Sequence, residues 1–355
     1  MSALTLDSYR QLGRSGLWVS PLALGAATFG NDWGWGADKD ESRKLFDLYV
    51  ENGGNFIDTA VTYTNGTSER MVGEFAGRER DRLVLATKYT TLRHPQDPNS
   101  GGAGRKSLFG AVETSLRQLG TDYIDVLYLH VWDAATPVEE MLRGLDDLVR
   151  AGKVLHVAIS NTPAWQISRM VTMADLRGWA PLAAVQLEYN LVERTGERDL
   201  LPMADELGLG VTLWSPLAGG VLTGKYSAAD LADGAQGVGD SARKGFNVAL
   251  GGVSERSLAI ADVVKDVAAE VGRSPAQVAL AWSLANPQVT APILGARTLA
   301  QLEDNLGALD VVLDASHRQR LDDISAVDLG FPHAMLASDH IRVQTRGDLK
   351  LTPRR

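Results

Sequence analysis

The chain has 355 residues, 45% of them hydrophobic and 22% charged, with a formal net charge of -9 and no cysteine. Disulfides, thiolate nucleophiles and cysteine-held metals are thereby excluded. A diffuse acidic balance argues against nucleic acid or an anionic membrane as the main partner, because both demand a basic footprint.

The length suits two domains or one large α/β barrel. Met1–Arg10 lacks the apolar core of a signal peptide, and no stretch approaches a membrane span, so the cytoplasm is the expected location. Tyr9–Ser20 alternates around Gly13 and Ser15-Gly16, which predicts a small β-hairpin. Leu22–Gly25 reads as a short buried strand, followed by a loop to Lys39 carrying Phe29, Trp33 and Trp35. Asp40 is the expected cap of a helix that Asn52-Gly53-Gly54 stops. Asn55–Asp58 reads as a buried strand, with Tyr63 five residues beyond Asp58. Ser68 is the expected cap of the next helix, which ends at Gly77. Asn65-Gly-Thr67 has the form of a glycosylation sequon but reads as a turn.

The strand-then-helix unit now repeats. Strand 83–87 leads through a Gly/Pro/Asn loop to a helix over 105–119. Strand 124–129 leads through His130 to a helix started by Pro137, and strand 156–159 leads to Ser160-Asn161 and a helix after Pro163. Strand 184–187 precedes a helix near 199–207, and strand 210–213 runs into Trp214-Ser-Pro-Leu217. After a small-residue and polar loop over about 226–253 come helices over 254–271 and 275–285, strand 289–294 and a helix over 298–306. A last helix over 315–325 and a polar stretch from His340, expected to be mobile, complete the chain. Eight βα units with nearly continuous apolar strands predict a parallel sheet closed into a (β/α)8 TIM barrel, with an N-terminal hairpin and extra C-terminal helices.

In such a barrel the C-terminal strand ends share one face, where active sites lie. Asp58, Lys88 and His130 each end a predicted strand. Taken singly, such an Asp ordinarily caps a loop, such a Lys is solvated and such a His is merely hydrogen-bonded. Together with Tyr63 they make an acid–base set. A phenol is a poor acid near neutrality, and Lys88 held by Asp58 is expected to lower its pKa. Tyr63 then donates a proton to a carbonyl oxygen, which His130 orients. Reduction also requires a hydride, which no side chain supplies.

Phosphate sites of such barrels lie after strands seven and eight, here Ser215–Lys225 and Gly295–Arg297. Trp214 is placed to stack on a flat ring or simply to pack, and Ser160, Asn161 and Gln186 end strands five and six, where they can bond an amide. Two glycine-rich stretches are set aside. Gly219–Lys225 is followed by Tyr226 where a P-loop needs Ser or Thr, and Gly102–Ser107 lacks the third glycine of a dinucleotide fingerprint. No spacing suggests a metal site, and no G-x-S-x-G elbow suggests a hydrolase.

The assembled residues resemble the aldo-keto reductase superfamily over roughly 9–328, in the manner of the bacterial branch related to potassium-channel β-subunits. The resemblance rests on Leu12-Gly-Arg-Ser-Gly-Leu17, Phe56–Ala60 with Tyr63, Ala86-Thr-Lys88, Tyr128-Leu-His130, Ser160-Asn161, Val185-Gln186, Trp214–Leu217 and Leu294–Arg297. It implies one barrel domain that uses NADPH to reduce a small-molecule aldehyde or ketone, with Asp58, Tyr63, Lys88 and His130 as the catalytic tetrad. It further implies nicotinamide contacts at Ser160, Asn161 and Gln186, ring stacking on Trp214, and a pyrophosphate loop at Ser215, Leu217, Gly219 and Lys225. The adenosine end falls on Gly295, Arg297, Gln301, Asp304 and Asn305, and Arg297 is the candidate for the 2′-phosphate. Other branches carry Arg at the Gln301 position, which weakens the inference of NADPH over NADH. A nucleotide-sensing module with little turnover is the alternative. An aromatic-walled substrate pocket is expected from Trp33, Trp35, Tyr89 and Trp132, with the loop at Phe331–His333 as a candidate closure. An oligomer remains open.

Overall fold

The computed structural model describes residues 4–232, 252–347 and 349. Most of the loop expected over 226–253 lies outside them. A two-stranded antiparallel hairpin comes first, β1 (Arg10–Gln11) with β2 (Trp18–Val19). Eight strands then close into a parallel barrel: β3 (Ala23–Gly25), β4 (Phe56–Asp58), β5 (Val84–Tyr89), β6 (Ile124–Leu129), β7 (Val154–Ser160), β8 (Leu182–Glu188), β9 (Gly210–Trp214) and β10 (Ala291–Gly295). Strands pair in chain order, and β10 closes the ring between β9 and β3. No helix among the described residues is long and apolar enough to cross a membrane.

The barrel follows from strands that are apolar on both faces. Phe56, Val84, Ala86, Val126, Tyr128, Ala158, Ala184, Ala291 and Ile293 fill the interior, where alanines leave room for the larger rings. The alternate positions, such as Ile57, Leu85, Leu127, Ile159 and Val185, pack on the surrounding helices. Those helices include α1 (Lys39–Glu51), α2 (Thr67–Ala76), α3 (Arg105–Leu119), α4 (Val138–Arg150), α5 (Ala164–Arg177) and α6 (Leu200–Leu207). Further helices, Glu255–Val271, Pro275–Ala285, Leu299–Leu306 and Ala315–Ser325, complete the outer layer.

The hairpin plugs the end of the barrel remote from the strand C-termini. Leu12 and Val19 join the interior cluster, and Arg10 donates to the carbonyls of Val289 and Thr290. Gly13 has φ 59, and a Cβ there would meet the Gly210 nitrogen at 2.5 Å, so only glycine lets the hairpin seat this closely.

Three sequence expectations are corrected. The cap of α1 is Asp38, whose carboxylate accepts from Glu41 N at 2.9 Å; Asp40 lies inside the helix. Helix α2 starts behind Gly66, and Ser68 turns its hydroxyl inward to the Ala26 carbonyl at 2.7 Å. The stretch from His340 is not wholly irregular: Ser338 caps a helix over Asp339–Arg346.

Candidate active site

Parallel strands put every second side chain into the barrel. One pleat above the interior cluster, that rule delivers Asp58, Lys88, Ser160 and Gln186, with His130 just past the end of β6. Residues 72 positions apart in sequence thus meet at the C-terminal mouth.

Lys88 is fully buried. Its ammonium donates closely to Asp58 Oδ1 and, at 2.8 Å, to the Thr59 carbonyl. Gln186 Nε2 donates to Asp58 Oδ2 at 2.9 Å, so both oxygens of the buried carboxylate are satisfied. Burial disfavours the Lys88 ammonium, but Asp58 and Tyr63 outweigh it and hold the pKa above its ordinary value. The cation lies 4.9 Å from the centroid of the Tyr63 ring.

Tyr63 is held by a strained turn. Thr64 (φ 45) and Asn65 (φ 54) are left-handed. Thr64 Oγ1 donates to the Phe29 carbonyl at 2.7 Å and accepts from Ser68 N, while Ser68 Oγ pairs with Thr59 Oγ1 at 2.7 Å. These buried hydroxyls tie the turn to the end of β4. The Tyr63 hydroxyl approaches His130 Nε2 at 3.5 Å, a long contact, with the rings edge-on. Burial raises the phenol, Lys88 pulls it down, and the net direction is upward. The expectation that Lys88 and Asp58 lower the Tyr63 pKa is therefore corrected. Lys88 acts as expected, but desolvation is larger, and the Asp58 charge adds to it. His130 is pushed down to about 3, first by burial and then by Lys88, and is therefore neutral near pH 7. Its Nδ1 is buried without a partner among the described residues.

A cavity of about 440 Å³ lies at the ends of β7 and β8 against α5 and α6, lined by Asn161, Gln186 and Trp214 together with Ile167 and outward-facing Ile159 and Val185; Asp58, Tyr63, Lys88 and His130 do not line it. Asn161 adopts φ 46, its amide donating to the His130 carbonyl and accepting from the Trp214 indole, both at 2.9 Å. That bond fixes the Trp214 ring at the rim. Ser160 Oγ is buried without a partner among the described residues, opposite Gln186 in the ladder. Beyond Trp214, Ser215, Ala218, Gly219 and Gly220 all have positive φ. Ser215 Oγ accepts from Gly219 N at 3.0 Å, and Leu217 packs against the core. The bare backbone at Gly219-Gly220 permits close approach of a ligand, and a Cβ at Gly220 would meet Lys225 Nζ at 2.5 Å, so the ammonium overlies this turn. An unmatched buried hydroxyl, an immobilised indole and a glycine turn beside a lysine fit a dinucleotide.

At the far end, Gly295 is exposed and Arg297 donates its backbone N–H to Gln301 Oε1 at 2.9 Å. Asn305 is buried. The Asp304 carboxylate accepts from Ser274 Oγ and Gln277 Nε2, bracing two helices, so its oxygens already have partners.

The aromatic residues divide. Trp33 stands edge-on to Tyr63, ring centroids 6.0 Å apart, and Trp35 lies 5.7 Å beyond it. Trp132 is half-buried against the core. Tyr89 is corrected: it is fully buried in the layer between strands and helices, because it follows inward-facing Lys88 and so points outward from the barrel. The loop at Phe331–His333 places His333 against Asp199, the residue before α6, at 3.1 Å, with Phe331 exposed. Sequence reading passed over two carboxyls, Glu69 and Glu188. Glu188 had a readable signal, since it lies two residues past Gln186 on the same strand face. Burial and then Glu193 raise it to about 7.

A barrel with a buried Asp–Lys pair under a tyrosine at its C-terminal mouth is an arrangement suited to acid–base chemistry. The aldo/keto reductase family model matches residues 21–326, and the chain belongs to that family. It is 35% identical to norsolorinic acid reductase of Aspergillus flavus, covering 92% of this chain and 84% of that protein. It is 36% identical to an aryl-alcohol dehydrogenase of Phanerodontia chrysosporium whose name specifies NADP(+), covering 93% and 89%. An uncharacterized oxidoreductase of Bacillus subtilis is also 36% identical, covering 89% of this chain and 95% of its own.

Proposed function

We propose that this chain is an NADPH-dependent reductase of aldehydes or ketones with Tyr63 as the general acid. The observation that carries the reading is the meeting of Tyr63, Lys88, Asp58 and His130 at one mouth, with Trp214 held at its rim through Asn161. A nicotinamide, when bound in reduced form, supplies the hydride. Ser160, Asn161 and Gln186 would hold its carboxamide, Trp214 its ring face, Ser215, Leu217, Gly219 and Lys225 the pyrophosphate, and Gly295, Arg297, Gln301, Asp304 and Asn305 the adenosine end.

The raised phenol pKa keeps Tyr63 protonated near neutrality, which is the state an acid needs. As negative charge develops on the carbonyl oxygen, Tyr63 delivers its proton there. The Lys88 ammonium then offsets the phenolate left behind, and Asp58 with Gln186 keeps that ammonium in place. Neutral His130, as the Nε2–H tautomer, donates a hydrogen bond that orients the same oxygen without placing a second cation beside Lys88. Trp33 next to Tyr63, and the aryl substrate in one relative's name, favour an aromatic carbonyl.

The test is NADPH oxidation with a panel of aromatic and aliphatic carbonyls. Tyr63→Phe should cut turnover about 10²–10⁴-fold while nucleotide affinity stays within about threefold. A fully active variant would end the mechanism. Tight nucleotide binding by the parent without turnover on the panel would favour a nucleotide-sensing module instead.

A further inference from the structure

Behind the tetrad lies a carboxyl that the mechanism above does not use. Glu69 is on α2, which begins four residues after Tyr63, and it is fully buried. Its Oε1 accepts from Thr87 Oγ1 at 2.5 Å, and Thr87 immediately precedes Lys88 on β5. Its Oε2 is buried on the side of Ser115 from α3 and has no close hydrogen-bond partner among the described residues. One side chain therefore ties the helix that follows Tyr63 to the strand that carries Lys88. Holding the two elements together needs only a hydrogen bond to Thr87, which an uncharged side chain could make. A fully buried carboxyl is a costly way to make that bond, which points to a role for the charge.

We infer that Glu69 is a positioning residue whose protonation state sets the electrostatic background of the Lys88–Tyr63 pair. This rests on the proposed roles of those two residues. The groups bearing on Glu69 are Lys88 and Thr87 from β5, Ser115 from α3 and Arg70 from its own helix. Burial raises the carboxyl to about 7, against the pull of the two hydroxyls and the two cations. Glu69 is thereby placed to change its charge near neutral pH. Once ionised, it favours the Lys88 ammonium and disfavours the Tyr63 phenolate. Both effects extend the acid form of the pair to higher pH.

Glu69→Gln retains a partner for Thr87 and removes the charge. The alkaline limb of kcat against pH should then move down by about half a unit or more, with the KM for nucleotide unchanged. An unmoved limb overturns the inference. A readout that needs no turnover separates this from the reductase proposal. The infrared band of a buried carboxyl should titrate with a midpoint near 7, vanish in Glu69→Gln and shift upward in Lys88→Met. A midpoint unaffected by Lys88→Met also overturns the coupling. If Lys88→Met does not fold, the stability of the parent decides. A folded pKa raised from 4.5 to about 7 gives a contribution complete below 4.5 that is lost as pH rises through 7. That loss should be absent in Glu69→Gln, and its persistence there overturns the assignment. Turnover that survives Tyr63→Phe would instead remove the general acid, leaving the Glu69–Lys88 coupling to be judged on its own titration.

Discussion

At the scale of single residues, the site works by keeping one positive charge and no more. The Lys88 ammonium is buried against Asp58, and His130, under burial and that same cation, is held at about 3. The His130 imidazole should therefore show no titration in NMR spectra between about pH 5 and pH 8; a midpoint inside that window would contradict the assigned environment. The sign for stability follows. Because the folded pKa lies below the ordinary 6.5, the His130 contribution is complete above that value and is lost as pH falls toward 3. Glu69 runs the other way, so the two oppose each other across the mildly acidic range.

At the scale of elements, α2 matters more than its length suggests. It follows the Tyr63 turn, supplies Glu69 to β5, and packs against α3 across Gly73. A Cβ at Gly73 would collide with the Leu119 backbone carbonyl. That atom cannot give way as a flexible side chain would. Gly73→Ala should therefore destabilise the protein by about 1–3 kcal/mol, visible as a lowered Tm. Turnover per folded molecule should fall as well, because α2 shifts relative to β5. An unchanged Tm would show that α3 yields without cost.

At the scale of the whole molecule, barrel closure turns eight separate strand ends into one surface. The dinucleotide reading spans half of that rim, from Ser160 on β7 around to Arg297 beyond β10. A ligand bound so broadly to the folded state alone should raise Tm, since saturation at 100 times Kd contributes about 2.7 kcal/mol. NADPH should shift Tm by several degrees, and Arg297→Ala should weaken NADPH about tenfold while sparing NADH. Equal loss for both nucleotides would remove Arg297 from the 2′-phosphate.

Much of this was readable in order along the chain. The helices over 105–119, 275–285 and 315–325 have the expected bounds, because the flanking Gly104 and Gly120, Ser274 and Asp314 are local signals. The tetrad was legible because each member but Tyr63 ends an apolar run, and strand polarity alone sends those ends to one face. Caps were misread at Asp40, where Asp38 two residues earlier offers the same carboxylate, and at Ser68, where the helix starts behind Gly66 and the serine hydroxyl turns inward. Tyr89 was misread because a strand end was taken for a loop, and the one-residue step from Lys88 reverses the facing.

The amino-acid order by itself determined the barrel, its strand count and the residues at its mouth, since periodicity and strand direction are properties of the chain alone. Only the tertiary structure decided the charges. Desolvation depends on everything packed around a group, and so the upward shift of Tyr63, the neutrality of His130 and the raised carboxyl of buried Glu69 became visible only once the elements were in contact.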